Sequence, residues 1–442
     1  MTLTAEQERP LDREDWRAWG TVAANSFGGP AGQIAAMHDE IVERRAWVDE
    51  PRFLHALNFC MLLPGPEAQQ LATYLGWQRK GPKGALLAGG LFVLPGFVSI
   101  LILSLLYATW GDVGWVDGLF RGVGPAVIAI VAHAVYRMGG RTIKNPVMLA
   151  IAVAAFVAVF FYSVPFPLVV FVAGVIGYVG ARLAPDTFVV VTGHAVDAEV
   201  EPVETPRLAK TLITAAVGLT LWFGPLVVIV ATVGLGSVWS DIGIFFSQAA
   251  IVTFGGAYSV LAYMAQQAVE VFGWLRPGEM IDGLGMAETT PGPLVQVTQF
   301  VGYMAAFRNP GSLSPITAGV LGAILTTWMT FVPSFLWIFL GAPYMEALRG
   351  KANLSGALST ITAAVVGVIL NLGVWFSIFT LFAEVGTAEI AGATVYQPDL
   401  STIDFVGLAI VIGAGVLLFK LKWSILRVVL LAAALGIGLA FF

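Results

Sequence analysis

The sequence predicts an all-α polytopic membrane protein made of two homologous, inverted repeats. Each repeat carries broken or re-entrant helices, and about 10–14 segments enter the membrane. Three observations predict this. The 442 residues are 57% hydrophobic and 12% charged, with a mean hydropathy of +0.83, whereas soluble domains carry roughly 25% charged residues. Many apolar runs approach the roughly 20 residues a helix needs to cross a bilayer. Finally, Pro-Gly-Pro stands twice inside apolar surroundings, at 64–66 and 291–293.

Taken in chain order, the first 16 residues are polar and contain no apolar h-region, so no cleavable signal peptide is expected. Residues 16–38 form a weaker apolar stretch with Ser-Phe-Gly-Gly-Pro in its middle. Uninterrupted spans are expected at 84–109, 119–137, 145–162, 165–182, 211–236, 242–265, 314–341, 355–383, 404–419 and 422–441. Segments 53–79 and 279–306 are apolar enough to enter the membrane but are split by Pro-Gly-Pro. Residues 184–209 hold five acids and three prolines and read as a polar linker; 384–402 reads as a polar loop.

Laid against itself at an offset of 227, the chain repeats. Phe27-Gly28-Gly29 falls on Phe254-Gly255-Gly256, and Ala35, Met37 and Glu43 on Ala262, Met264 and Glu270. Trp47 falls on Trp274, Pro64-Gly65-Pro66 on Pro291-Gly292-Pro293, and Gln69 on Gln296. Apolar bias aligns any two membrane segments, but it does not bring glycine pairs, prolines, Trp and Gln into one register. The expected organisation is a first repeat over 1–183, an acidic linker over 184–210, a connecting helix over 211–236 and a second repeat over 237–442.

Matched helix breaks in two related halves are the sequence sign of a secondary transporter. Inside lipid every N–H and C=O must be paired, so an interrupted helix survives only against protein or a watery cavity. Pro66 and Pro293 suit the first turn of a new half-helix. Its N-terminus offers free N–H groups and a positive dipole end to an anion. None of the spans carries Lys or Arg in its central part. The expected anion ligands are therefore backbone amides, hydroxyls and side-chain amides: Gly28, Gly29, Pro30, Gly65, Pro66, Gln69 and Gln70 in the first half. Their counterparts are Gly255, Gly256, Thr290, Gly292, Pro293 and Gln296 in the second.

Glu67 and Glu288 lie within or beside the breaks. An acid at membrane depth is expensive and usually functional, which makes both candidates for proton coupling; the plainer reading of Glu67 is a carboxylate complementing a helix N-terminus. Arg44, Arg45 and Arg52 precede the first Pro-Gly-Pro element and Arg79, Lys80 and Lys83 follow it, giving a basic entrance and placing both ends of 53–79 on the cytoplasmic side. Sixteen of the 23 basic residues lie at or before Lys210, as expected of a second repeat entering from the opposite face.

The motifs FGGPAGQIAAMHDEIVERRAWV, LNFCMLLPGPEAQQLATYLGW and GGLFVLPG closely resemble the chromate ion transporter family, and FGGAYSVLAYM and PGPLVQ in the second half resemble its duplicated, long-chain form. Gly28-Gly29-Pro30 becomes Gly255-Gly256-Ala257, a departure from strict repetition. The resemblance implies a multi-pass protein of a bacterial or archaeal inner membrane. It implies an anion antiporter that exports chromate and confers chromate resistance, with sulfate as the usual competitor. A sulfate or other oxyanion carrier, coupled to protons, is the alternative, and a membrane scaffold without transport is a third reading. The expected partners are chromate, sulfate, the lipid bilayer and a second copy in a homodimer, with no nucleic acid.

Each sharp reading has a bland counterpart. A lone Pro-Gly-Pro is more often a packing kink, and the Gly-Gly pairs also suit close helix packing. His133 reads as a structural histidine, and residues 31–48 as an amphipathic interfacial helix with His38 and Glu43 on its solvated face. The single cysteine, Cys60, excludes an internal disulfide and reads as a small buried hydrophobe. No HExxH, Walker A or CxxC motif occurs, so no metal, cofactor or enzymatic activity is expected.

Overall fold

The computed structural model describes residues 10–61, 63–111, 113–190, 208–254, 257–276, 278–342 and 352–441. Among them six helices are long and apolar enough to cross a membrane, and four shorter apolar helices of 10–17 residues accompany them. The chain divides into two compact units: Met1–Leu105 with Gly193–Ala257 and Thr290–Gly350, and Leu106–Thr192 with Tyr258–Thr289 and Lys351–Phe442. Each unit thus draws on both halves of the sequence.

In the first unit, α1 (Arg13–Ala24) starts in a capping box, with the Asp12 side chain on the N–H of Asp15 and the Asp15 side chain on the N–H of Asp12. It ends before Phe27. Gly28 and Gly29 take left-handed φ of 81° and 68°, and Pro30 opens α2 (Gly29–His38), which continues through a π turn over Asp39–Arg44. After α3 (Glu50–Cys60) and the first Pro-Gly-Pro comes α4 (Glu67–Trp110). It is interrupted at Lys80 and Gly81, where φ/ψ are non-helical just before Pro82. The piece before this kink folds back on the piece after it, with Gly76 and Gly84 each against the other's carbonyl. The unit also holds α9 (Leu208–Val233), α10 (Val238–Val252), a 3-10 turn over Leu294–Gln296, α13 (Val297–Arg308) and α14 (Pro315–Gly341). In α13 and α14, Gly302 and Gly322 repeat the Gly76–Gly84 approach.

Glycine-glycine contacts also organise the second unit. Its helices are α5 (Gly114–Thr142), α6 (Pro146–Tyr162), α7 (Phe166–Leu183), the one-turn α8 (Pro185–Phe188), α11 (Ala257–Gln266, with a π turn over Gln267–Val271), α12 (Glu279–Thr289), α15 (Ala352–Leu381), α16 (Phe405–Phe419) and α17 (Ile425–Leu439). The packing is reciprocal. Helix α5 from the first half lies against α16 and α17, and α15 from the second half lies against α6 and α7. Gly118 and Gly122 meet Gly436 in one pair, while Gly177 meets Gly356 and Thr360 in the other. Lipid supplies no hydrophobic drive between helices, so such small-residue contacts let dispersion hold the bundle.

The structure corrects two expectations. Segment 242–265 is not one span: α10 stops at Val252, Thr253 is extended, and α11 starts anew. Residues 384–402 are not an irregular loop but contain a hairpin, Val385–Ile390 paired antiparallel with Ala393–Pro398. Its two-residue turn, Ala391-Gly392, has φ of 52° and 76°, the pattern that suits strand twist. Most of the expected linker lies outside the described residues.

The kink after α4's first arm is held by a buried ion cluster. Asp15, 1% exposed, accepts from Arg79 Nε at 2.8 Å and lies 3.7 Å from Lys80 Nζ, which is itself only 5% exposed. Asp12 lies 3.6 Å from the same ammonium, and Arg79 stacks 3.5 Å over the Trp47 ring. Removing one partner strands a buried charge. Asp15→Ala is therefore expected to destabilise the protein by about 3 kcal/mol, read as a lowered midpoint of thermal unfolding in detergent, with Asp15→Asn closer to wild type.

Candidate functional site

Both Pro-Gly-Pro breaks lie in the first unit, and backbone conformation explains each. Gly65 has φ of 130° and Gly292 φ of 106°, values that L side chains rarely adopt. Gly65 N donates to Thr253 O at 2.7 Å, and Gly292 N donates to Ser26 O at 3.0 Å. The two bonds are reciprocal. Ser26 and Thr253 stand 227 residues apart, as do the two glycines, and each immediately precedes a Phe-Gly-Gly. Both hydroxyls turn back into their own helices, Ser26 Oγ to Val22 O at 2.5 Å and Thr253 Oγ1 to Ala249 O at 2.6 Å. The N–H groups of the break glycines thus hold one half of the sequence to the other.

The amides available to a ligand lie one turn further on. At the first break, Gln70 N bonds to Pro66 O, so the N–H groups of Ala68 and Gln69 begin the helix ahead of the intrahelical ladder. At the second, the 3-10 turn from Leu294 follows Pro293 with no side-chain cap. Around both starts lie buried side-chain amides. Gln70 Nε2 donates to Pro64 O at 2.8 Å, and Gln69 Nε2 to Thr73 Oγ1 at 2.9 Å. Gln296 Nε2 donates to Gln299 Oε1 at 2.5 Å, and Gln299 Nε2 in turn to Phe97 O at 2.9 Å. Gln33 Nε2 reaches Gly292 O at 2.6 Å.

What these groups leave unmade is informative. Gln69 Oε1, Gln70 Oε1, Gln296 Oε1 and Ser334 Oγ are buried without a hydrogen-bond partner. Buried polar atoms are nearly always paired, so each of these oxygens is open to a further donor, a water or a ligand. Ser334 belongs there by position: a Cβ on Gly65 would stand 2.7 Å from its Oγ and 2.7 Å from Gln70 Nε2. A Cβ on Gly96 would stand 2.9 Å from Pro291 O.

The expected site residues fall into several places. Gly65, Pro66, Gln69, Gln70, Thr290, Gly292, Pro293 and Gln296 are all buried at or beside the breaks. Gly28, Gly29 and Pro30 form the start of α2. Gly255 and Gly256 lie outside the described residues. Glu67 is half-buried in the first turn of α4. Glu288, in the second unit, is 1% exposed; its Oε1 receives the Tyr258 hydroxyl and its Oε2 has no partner. The three entrance arginines are all ion-paired: Arg44 with Asp39 at 3.1 Å, Arg45 with Glu40 at 2.8 Å and Glu14 at 3.0 Å, Arg52 with Asp49 at 3.7 Å. His133 packs edge-on against Phe419. Among the described residues no three His, Cys, Asp or Glu side chains are placed to hold a metal ion.

Sequence reasoning missed Ser26, Gln33, Thr253, Tyr258, Gln299 and Ser334. One signal was available for Ser334. Pro95-Gly96-Phe97 matches Pro333-Ser334-Phe335 at an offset of 238, a register that an ungapped comparison at 227 passes over.

The profile of the chromate transporter family matches residues 16–178 and 240–437. A chromate transport protein of Pseudomonas aeruginosa is 33% identical over 75% of this chain and 73% of its own. One of Cupriavidus metallidurans is 31% identical over 72% and 71%. An uncharacterized transporter of Methanocaldococcus jannaschii is 25% identical over 93% and 90%. No solved structure matches the chain.

Proposed function

We propose, from the premise that this chain belongs to the chromate transporter family in its duplicated form, that it is a secondary carrier, not an enzyme. It exports chromate across the inner membrane of a bacterium or archaeon and so confers resistance. The observation that supports this best is the pair of helix starts behind Gly65 and Gly292, each lined by buried amides with unpaired oxygens. Two inverted repeats tied through reciprocal glycine N–H bonds suit alternating access around a shared site. Helix N-termini attract an anion without a resident Lys or Arg, so the ion is held but can leave.

The membrane potential supplies the drive. One charge moving through 100 mV is worth about 2.3 kcal/mol, so a dianion leaving a negative-inside cell gains about 4.6 kcal/mol. Export then needs no ATP. A second reading, a proton-coupled carrier of sulfate or another oxyanion, draws support from Glu288, a carboxylate buried with a phenol for company. Glu67 is the corresponding candidate in the first half.

Uptake of labelled chromate into everted membrane vesicles tests the proposal, because export appears there as accumulation. We expect accumulation under an inside-positive potential, with partial inhibition by excess sulfate. Accumulation of sulfate alone would transfer the assignment to the second reading, and transport of neither anion would remove the carrier reading.

A further inference from the structure

We propose that the second unit carries a site for one small monovalent cation, of sodium size, where the end of α6, the π turn after α11, α15 and the hairpin meet. The site is built wholly from that unit and does not depend on which anion is carried.

A cavity of about 20 Å³ lies there, room for a single water-sized occupant. Five oxygen-bearing side chains line it: Ser163, Gln266, Glu270, Asn371 and Tyr396. Ser163 takes a left-handed φ of 49° where α6 stops. The last turn of α6 holds no basic side chain, so the negative end of that helix is open to a cation. Glu270 faces the Gln266 amide and the Trp375 indole, with Tyr396 beside it, and no Lys or Arg offsets its charge. Asn371 is the one side-chain amide in the apolar run 363–376 of α15, and an amide in such a run is placed there to meet a polar partner.

A comparison of the halves explains why the cavity exists. At the offset of 227, Glu43 matches Glu270 and His38 matches Ala265. Each pair spans a π turn, whose wider winding brings residues five apart closer to one face than an α turn does. In the first half His38 Nδ1 lies 3.5 Å from Glu43 Oε1, so that carboxylate has an internal partner. In the second half a methyl group replaces the imidazole, and Ala265 lines the cavity together with Glu270. The carboxylate kept its place while its nitrogen partner was lost.

Size and charge select the occupant. One carboxylate among neutral oxygens balances a single positive charge, whereas calcium sites gather several carboxylates. The space is too small for an organic cation. Ser163 and Glu270 are exposed, so an ion reaches the cavity without any helix parting.

Thermal unfolding of the purified full-length protein in detergent tests the site, in sodium chloride against choline chloride at equal ionic strength. We expect the midpoint to rise with sodium and level off, by about 3 °C at a hundredfold excess over the dissociation constant, with a smaller rise in potassium. Labelled sodium should bind saturably, one ion per chain. Glu270→Gln should lose both the shift and the binding. Ala265→His, which restores the pairing of the first half, should lose both while unfolding no earlier than wild type in choline. If that variant does not fold, Asn371→Ala takes its place, with weakened sodium binding expected. Equal midpoints in sodium and choline with no labelled sodium bound overturn the inference. Sodium binding that survives both Glu270→Gln and the second variant puts the ion elsewhere and overturns it too, as does a larger shift with calcium than with sodium. Chromate uptake into everted vesicles is read separately, so each of these outcomes leaves the carrier reading as it stands.

Discussion

Gly292→Ala is expected to lower chromate uptake into everted vesicles at least tenfold, with the protein still present in the membrane. The substitution meets two obstacles. Its φ of 106° is one that alanine rarely adopts, and the new Cβ would lie 3.2 Å from Gly96 Cα and N and 3.3 Å from Phe92 O. These are backbone atoms of α4, which cannot rotate aside. Holding a non-glycine residue in such a conformation costs about 1–3 kcal/mol, and tenfold in rate corresponds to about 1.4 kcal/mol. The strain falls on the residue whose N–H donates to Ser26 O and whose carbonyl accepts from Gln33 Nε2. Gly65→Ala should be milder, because its Cβ would press on the ends of the Gln70 and Ser334 side chains. Normal uptake by Gly292→Ala at equal protein level would show that the break geometry is not part of the anion path.

The second large effect concerns stability. Gly122→Leu places a side chain where α5 touches α17. A Cβ alone falls on Ala432 O and comes 2.9 Å from Gly436 Cα. Helix axes set by such contacts cannot admit a leucine without separating, and overpacking of this kind costs on the order of 3 kcal/mol. We expect loss of the monodisperse peak on size-exclusion chromatography and early thermal unfolding. Gly140→Leu, in the same helix but with no atom within 4 Å of its Cβ, should behave like wild type. Equal behaviour of the two variants would contradict the small-residue packing described for this unit.

Much of the fold was legible because membrane burial writes itself into composition. Nine of the ten expected spans correspond to single continuous helices, since roughly 20 apolar residues leave the backbone no alternative to a helix. The exception, 242–265, failed because α10 stops at Val252 and Thr253 is extended, whereas in a sequence a glycine pair reads as helix packing as readily as a break. The hairpin at 385–398 was hidden by strands of mixed polarity, with Glu389 and Gln397 beside Ile390 and Val395.

At the site, the Pro-Gly-Pro positions were readable as breaks, but their hydrogen bonds were not. Gly65 N and Gly292 N reach carbonyls of Thr253 and Ser26, and a backbone carbonyl has no sequence signature. Tyr258 escaped for another reason. Its counterpart at the 227 offset is Ala31 and that of Glu288 is Met61, so a comparison of halves discards the pair. Repetition finds what the halves share and is blind to what one of them has acquired.

The crossed glycine bonds bear on how such a chain can evolve. A hydrogen bond within one half could drift with that half. Here the loop ahead of Phe27 shapes the break at 291–293, and the loop ahead of Phe254 shapes the break at 64–66. Neither copy can be remodelled at these points without a compensating change in the other, so they should covary across lineages long after the surrounding apolar surface has diverged. Positions outside the crossing, such as the one occupied by Glu288, are where a duplicated carrier is free to become asymmetric.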